Sequence, residues 1–480
     1  MKKQIIKKIL IVSLMVIITG CTVKPASDEP AADVPVPDET ATVNNDYDGG
    51  LFDHSKVHAI DIEMAEEDWN DLLENALDKT KYHCDITIDG ELIKNVSCST
   101  KGNSSLIMAK EKFNNGRYSL KIDFDKYEDG QKYHELKKIN LTNGFSDTTY
   151  LKDYLCYTMF NRAGVDGPLC SFSWVKVNGK DHGLFLTVEE CDKSFLKRTG
   201  WKDSILYKPD SDKLVAGGDE LEKIIQNGIQ IEDYSEGADL RYRGDKIEDY
   251  PDIFNNNETK AEDEDKLRVI KALKGLSEEK DLENYLYTDK IIRYFAVHNF
   301  TINYDCYTGP MLHNYYLCEK EGKLAIFPWD YNLAFGTALA RHNKEESDST
   351  RLVNYGIDTP LMGTTAEQRP MWKWIIDNDK YKKEYHEAID EFIKSYFESG
   401  KFEQDMDEAI RLIEPYVEKD PTSFAGAEAF SSSTKALKTF CLLRAESIRR
   451  QLDGKLASRT QDQSAADQVD ASTINIGQLN

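Results

Sequence analysis

The spacing of apolar positions changes partway along the chain. In the front part it has a period of two. "VHAIDIEM" (57–64) alternates, and "CDITIDGELIKNVSC" (84–98) holds two alternating runs around Asp89-Gly90, a strong hairpin signal. "YSLKIDFD" (118–125) alternates again, with Ser119, Lys121 and Asp123 on one face and Leu120, Ile122 and Phe124 on the other. "SFSWVKVNGKDHGLFLTVEE" (171–190) predicts a second hairpin, turning at Asn178-Gly179. Between these runs Leu151, Tyr154, Leu155, Thr158 and Met159 follow helical spacing, with Ser146 or Asp147 to cap the start and Gly164 to stop it. The back half is mainly helical. Ile291, Ile292, Phe295 and Ala296 form one stripe, and amphipathic helices are expected over 380–397, 402–418 and 434–452. The acidic stretch from Tyr234 to Asp265 is expected as a surface excursion.

The ends differ from this pattern. "MKKQIIKKILIVSLMVIITGC" has a basic start, an apolar run and small residues before Cys21, as in a secretion signal. "ITGC" resembles a bacterial lipobox, which makes Cys21 a lipidation site. The mature chain is then expected outside the cell, anchored to the outer face of the membrane by its lipid. Residues 22–50, rich in Pro, Ala and acid, are expected as a disordered tether, and residues 454–480 as a disordered tail. Eight cysteines follow Cys21, enough for four disulfides in an exported protein, and no CxxC zinc pair occurs. Some, such as Cys156 and Cys441, lie in apolar runs that suit a free core thiol. The net charge of −24 argues against a nucleic-acid surface and leaves room for a small nucleotide site.

Candidate chemistry concentrates in "NFTINYDCYTGPMLHNYYLCEKEGKLAIFPWDYNLAFG" (299–336). "NYYLCE" and "KLAIFPWD" predict two strands joined at 320–322. Asp305 precedes the first, Asn314 starts it, and Asp330 ends the second. An acid in so apolar a run needs a cation or hydrogen-bond donors. Two carboxylates and an amide oxygen suit Mg²⁺ or Mn²⁺, although Asp and Asn also cap ordinary turns. Gly102, Asn103, Ser104 and Ser105 in "STKGNSSLIMAKEKF" offer donors that can cradle phosphate or simply form a polar turn, and no GK[ST] ending makes them a Walker loop. Lys121 lies on the polar face of its strand, where a lysine is ordinarily solvated. "HELKK" is not HExxH, "DFDKYEDG" lacks EF-hand spacing, and GxSxG is absent.

"KGNSS", "YSLKIDF", "VNGKDHGLFLTVEE", "LYKP", "NYDCYTG", "NYYLCE" and "FPWDYNLAFG" occur in the order seen in the spore coat protein H (CotH) kinase family, which the chain resembles over roughly 55–450. The resemblance implies an α+β, atypical protein-kinase-like two-lobed fold, with a strand-rich N-lobe (51–190) and a mainly helical C-lobe (191–453). It implies ATP and Mg²⁺ or Mn²⁺ as cofactors, and phosphorylation of Ser or Thr on an extracellular or envelope protein. It assigns Lys101, Gly102, Asn103, Ser104 and Ser105 to the phosphates and Lys121 to the strand lysine, with Lys208 as second contact or replacement. Glu189 and Glu190 would border the adenine at the hinge, Asp305 would be catalytic, and Asn314 and Asp330 would hold the metal. Two departures stand out. The helix near 147–163 has no glutamate to pair with a lysine, and Asp153 is its only acid beyond the cap. Asn332 also stands where an aspartate would ligate more strongly. The rival expectation is a non-catalytic kinase-like module for surface binding or assembly. A third, carbohydrate recognition, rests on Tyr and Trp that core packing explains equally well.

Overall fold

The computed structural model describes residues 45–210, 235–340 and 348–479. The expected signal, Cys21 and the tether as far as residue 44 lie outside the described residues.

Seven strands close a barrel in the order β1-β2-β3-β4-β5-β7-β6. They are β1 (His58–Glu63), β2 (Tyr82–Ile88), β3 (Glu91–Thr100), β4 (Leu120–Asp123), β5 (Lys138–Thr142), β6 (Cys170–Val177) and β7 (Lys180–Glu189). The Asp89-Gly90 and Asn178-Gly179 turns join β2 to β3 and β6 to β7 in antiparallel register, as the alternation predicts. Closure depends on β1, which pairs with β2 on one side and runs parallel to β6 on the other. One residue of each alternating pair faces inward, so Ile60, Ile62, Ile86, Ile88, Val96, Ile122, Ile139 and Val175 fill the interior.

A second sheet, order β10-β9-β8, combines β8 (Ile205–Tyr207) with the hairpin β9 (Tyr315–Lys320) and β10 (Lys323–Pro328). The principal helices are α1 (Glu66–Glu74), α2 (Ser104–Met108), α3 (Lys152–Arg162), α4 (Asp263–Glu278), α5 (Thr288–Thr301), α6 (Pro370–Asp377), α7 (Asp379–Phe392), α8 (Lys401–Val417) and α9 (Ala427–Leu452). The predicted helices correspond to α3, α5, α7, α8 and α9. The fold is thus α+β, a barrel followed by a mainly helical part.

Three expectations are corrected. The tether does not run to residue 50, because Tyr47 and Asp48 are buried and the Tyr47 hydroxyl donates to Glu189 at 2.5 Å. Residues 454–479 are not a disordered tail. Leu456, Val469, Ala471, Ile474, Ile476 and Leu479 are buried, and Ser458 Oγ donates to Asp358 at 2.7 Å. The acidic stretch from residue 235 is not a mere excursion: Asp239, Leu240 and Tyr250 are buried, and Arg241 and Arg243 bind Asp239. All eight cysteines after Cys21 are free, buried thiols, so no disulfide forms among them.

The barrel is tied to the helices by Arg117, whose guanidinium is fully buried. It donates to the Asn143 carbonyl at 2.8 Å, to Asp420 at 2.9 Å and to Thr422 Oγ1 at 3.0 Å, and also to the Leu184 carbonyl. Asp420 accepts from the Leu184 amide at 3.0 Å, and a Cβ on Gly183 would lie 2.2 Å from its Oδ1. Asp420→Ala therefore strands a guanidinium in the interior. We expect it to lower unfolding free energy by about 3–5 kcal/mol, read as a fall in the urea midpoint. Asp420→Asn, which keeps hydrogen-bond acceptance, should lose less.

Candidate active-site cleft

A cleft lies between the β3–β5 side of the barrel and the helical part. It is lined by Lys101, Gly102, Ser105, Ser119 and Asn143 on one side and by Asp147, Asp153, Asp330 and Asn332 on the other. Lys101 directly follows β3. Gly102 has φ +104°, and a Cβ there would lie 2.8 Å from Ser105 Oγ, so the sharp turn needs glycine. Ser104 and Ser105 open α2 rather than extending a loop. Ser104 and Asn103 are exposed and do not line the cleft, whereas Ser105 does.

Asp330 stands just past the end of β10 with φ +56°, and Asn314 just before β9 with φ +58°. Asp and Asn tolerate this region better than other non-glycine residues. Ile302 (φ +48°) and Phe335 (φ +59°) share it with less tolerance, so backbone strain gathers around the site. Asn314 Nδ2 donates to Asp305 Oδ2 at 3.0 Å and to the Asp305 carbonyl at 2.7 Å, leaving its amide oxygen without a hydrogen bond among the described residues. The loop before β9 thus brings Asp305 and Asn314 into contact, and the charge of Asp305 reaches Asp330; the hairpin itself, expected to bring Asn314 to Asp330, makes no hydrogen bond between them.

Two further residues, given no role from the sequence, join this cluster: one acid and one base. Asp153 on α3 accepts from the Tyr331 amide at 2.6 Å and faces Asp330. Burial pushes its carboxyl above the usual range, and the Asp330 charge adds to that. Asp330 is raised as well, by the surrounding protein first and then by Asp305, against the pull of Lys101, Lys208 and His313. Solvent still reaches Asp330 from the open cleft. His313, next to Asn314, bonds Asp305 at 3.0 Å and has Asp210 at 3.8 Å. Burial works against its charged ring, but the two carboxylates prevail and raise it to about 10, so it is cationic at neutral pH. Asp153 lies off the apolar stripe of its helix, and the "HN" pair precedes a predicted strand. Those were the only traces in the sequence.

The lysines approach from other directions. Lys101 Nζ lies 5.1 Å and Lys208 Nζ 5.6 Å from the Trp329 ring, and neither forms an ion pair among the described residues. Burial lowers Lys101 to about 8, against the pull of Glu190 and Asp330. Lys121 pairs with Glu190 at 2.8 Å, and Asn140 Nδ2 donates to the other Glu190 oxygen at 2.5 Å. Burial alone would raise Glu190, yet Lys121, Lys101 and Asn140 hold it at about 2. Glu189 is turned away from any ligand. Its side chain is fully buried, bonding Arg198 at 2.6 Å, the Leu169 amide at 2.9 Å and Tyr47. Its expected place beside an adenine is therefore not available.

The arrangement suits an anion held together with a cation. Among the described residues Asp330 has no hydrogen bond to its carboxylate, the amide oxygen of Asn314 accepts none, and two ammonium groups without an ion pair stand nearby. These residues fit a divalent metal and a phosphate-bearing ligand, although no group of three His, Cys, Asp or Glu among the described residues is already gathered around one metal position.

The chain belongs to the CotH kinase family: the family profile, described as CotH kinase protein, matches residues 98–448. It is also 21% identical over 319 residues to the inner spore coat protein H of Bacillus subtilis (strain 168), covering 66% of this chain and 78% of that protein.

The Lys121–Glu190 pair gives a pH dependence of known sign. Glu190 has a lowered folded pKa, so its contribution is complete above its ordinary value of 4.5 and disappears as pH falls through about 2. Glu190→Gln should therefore differ from wild type in melting temperature near pH 6. The gap should shrink steadily between about pH 4.5 and pH 2 in thermal melts.

Proposed function

We propose that this chain is an exported kinase, anchored to the outer face of the cell membrane through lipidated Cys21. It transfers the terminal phosphate of ATP, with Mg²⁺ or Mn²⁺, to Ser or Thr of an extracellular or envelope protein. The observation that carries this reading is the division of charge around Asp330 in the cleft: Lys101 and Lys208, neither in an ion pair among the described residues, act on its carboxylate from one side, and Asp153 and Asp305 from the other. Family membership supports it, as does the layout of a strand-rich part followed by a helical part.

ATP with its divalent ion supplies the phosphoryl group and much of the neutralising charge. The chain does the rest. Asp330 and the amide oxygen of Asn314 are the residues to hold the metal, with Asp153 close enough to share its charge. Lys101 and Lys208 meet phosphate oxygens. Lys121 is engaged by Glu190 and serves to fix that carboxylate beside Lys101. Asp305 is held in one orientation by His313 and Asn314. A carboxylate has room for further hydrogen bonds, so Asp305 can still accept the proton of an incoming hydroxyl.

A non-catalytic surface binding or assembly module is the second reading. One observation favours it: His313, already cationic, neutralises Asp305 without any ligand. The spore coat name of the Bacillus relative is also compatible with assembly.

The test is transfer of labelled phosphate from ATP by the full chain with Mn²⁺ or Mg²⁺. Asp305→Ala should lower the rate by about 10²–10⁴-fold. Asp330→Ala should abolish it along with the metal-dependent thermal shift caused by ATP, circular dichroism showing both variants folded. Absence of transfer and of any such shift in wild type would select the binding module.

A further inference from the structure

Residues 454–479 follow α9 and lie beyond the region matched by the family profile, which ends at 448. Apart from two short 3₁₀ turns, Thr460–Asp462 and Ile476–Leu479, they carry no regular structure. They are pinned point by point instead. The Asp358 amide donates to the Ser458 carbonyl at 2.9 Å. Asn354, fully buried, gives both ends of its amide to Val469: Nδ2 donates to the Val469 carbonyl at 2.8 Å, and Oδ1 accepts from its amide at 2.9 Å. Ser349 Oγ donates to the Ile474 carbonyl. Isolated anchors of this kind break one at a time, so the segment can lift without unfolding the rest.

Its far end rests on a joint of the cleft. The Gln478 carbonyl accepts from Thr148 Oγ1 at 2.6 Å and from Ser433 Oγ of α9. The turn Ile476–Leu479 packs on the short helix Thr337–Ala340, which begins shortly after Asp330. Thr148 stands in the turn that leads into α3. Lys152, the first residue of α3 and fully buried, spans the two elements: its Nζ donates to the Ser146 carbonyl at 2.8 Å and to Thr337 Oγ1 at 3.1 Å. Asp147, which lines the cleft, accepts from the Lys152 amide at 2.9 Å and so fixes the start of α3. The next residue of α3 is Asp153, which faces Asp330. Two buried carboxylates facing each other repel, so α3 must be held in place from behind.

We propose that residues 454–479 are a releasable latch: seated, they clamp the start of α3 to the segment after Asp330 and so hold Asp153 against Asp330; lifted, they free α3 to draw its acid away. The latch is thus a regulatory device on the metal side of the cleft. Its effect on ligand affinity rests on the reading of the cleft given above, but its effect on α3 does not.

The first measurement is amide hydrogen exchange, read by mass spectrometry on the full chain without ligand. In wild type, residues 466–479 should exchange well before the barrel strands β2 and β3. Ile476→Asp with Leu479→Asp places two charges in buried positions and should lift the latch. Exchange over 147–155 should then rise about tenfold, with β2 and β3 unchanged. A synthetic peptide of residues 466–480, added in excess, should restore protection over 147–155, which separates latch release from misfolding. Thr148→Val with Ser433→Ala, which removes only the two hydroxyl donors to Gln478, is the milder variant and should raise exchange over 474–479 and, less strongly, over 147–155. The second measurement is binding of Mn²⁺-ATP by calorimetry, which should weaken about fivefold on release and recover with the peptide. Exchange of 466–479 only together with the barrel, or unchanged protection over 147–155 in both variants, overturns the latch. Equal Mn²⁺-ATP affinity in wild type and the released variant overturns its link to the site. Failure of wild type to bind Mn²⁺-ATP overturns the reading of the cleft, and the exchange data then decide the latch alone.

Discussion

The Arg117 guanidinium is the constraint on which the cleft depends. A charge removed from water must find every donor a partner, and Arg117 finds them in three places at once. The Asn143 carbonyl lies just past the end of β5 and the Leu184 carbonyl within the neighbouring β7, while Asp420 and Thr422 come from the loop between α8 and α9. Asp420 returns the tie by accepting the Leu184 amide. Sliding the helices against the barrel would break several charge-assisted bonds together, so the geometry is set rather than averaged. The same residues reach the site, because Asn143 lines the cleft and its Nδ2 donates to the Arg117 carbonyl at 2.8 Å.

Behind the acidic wall a second buried network does similar work. His298 on α5 bonds Thr308 Oγ1 at 2.6 Å and the Tyr331 hydroxyl at 2.8 Å. Burial lowers it to about 3, so it serves as a neutral bridge at any physiological pH. It links the loop that follows Asp305 to the residue that follows Asp330. Arg369 pins the same loop by donating to the carbonyls of Tyr307 and Gly309 at 2.7 and 2.8 Å. Gly309 passes so near Tyr304 that a Cβ would lie 1.8 Å from its carbonyl oxygen. The left-handed backbone at Asn314 and Asp330 is tolerable because its surroundings are fixed in this way.

Local rules made much of this visible in the sequence. Period-two runs and Asx-Gly turns specify hairpins whose register is then set by one buried face. Asp330 stood out because an acid in an apolar strand demands explanation. What escaped was everything set by distant partners. Barrel closure rests on β1 pairing parallel to β6, more than a hundred residues away. Glu189 looked like a strand-end acid open to a ligand, until Arg198 and Tyr47 took its oxygens. Asp153 stood out only as the one acid of its helix beyond the cap, and nothing in its spacing showed that it faces Asp330. The last segment read as disordered because Val469, Ile474, Ile476 and Leu479 have no period. They pack into the main hydrophobic core instead, and the Gln478 carbonyl accepts from Thr148, next to the cleft-lining Asp147, at 2.6 Å.

Trp329 explains how an acid and two lysines remain available in so small a volume. If Lys101 or Lys208 closed onto Asp330, the site would neutralise itself and have little left to offer a ligand. Both ammonium groups instead rest near the indole ring, at 5.1 and 5.6 Å. A cation is partly stabilised over an aromatic face without losing its charge. Asp330, one residue further on, is turned by its left-handed backbone toward Asp153 and the Asp305 charge. Like charges are therefore gathered on separate walls, each wall unstable alone. A ligand that brings phosphate to one and a metal to the other relieves both at once. The apolar strand ending in "PWD" thus sets its acid one residue beyond the ring on which both lysines rest.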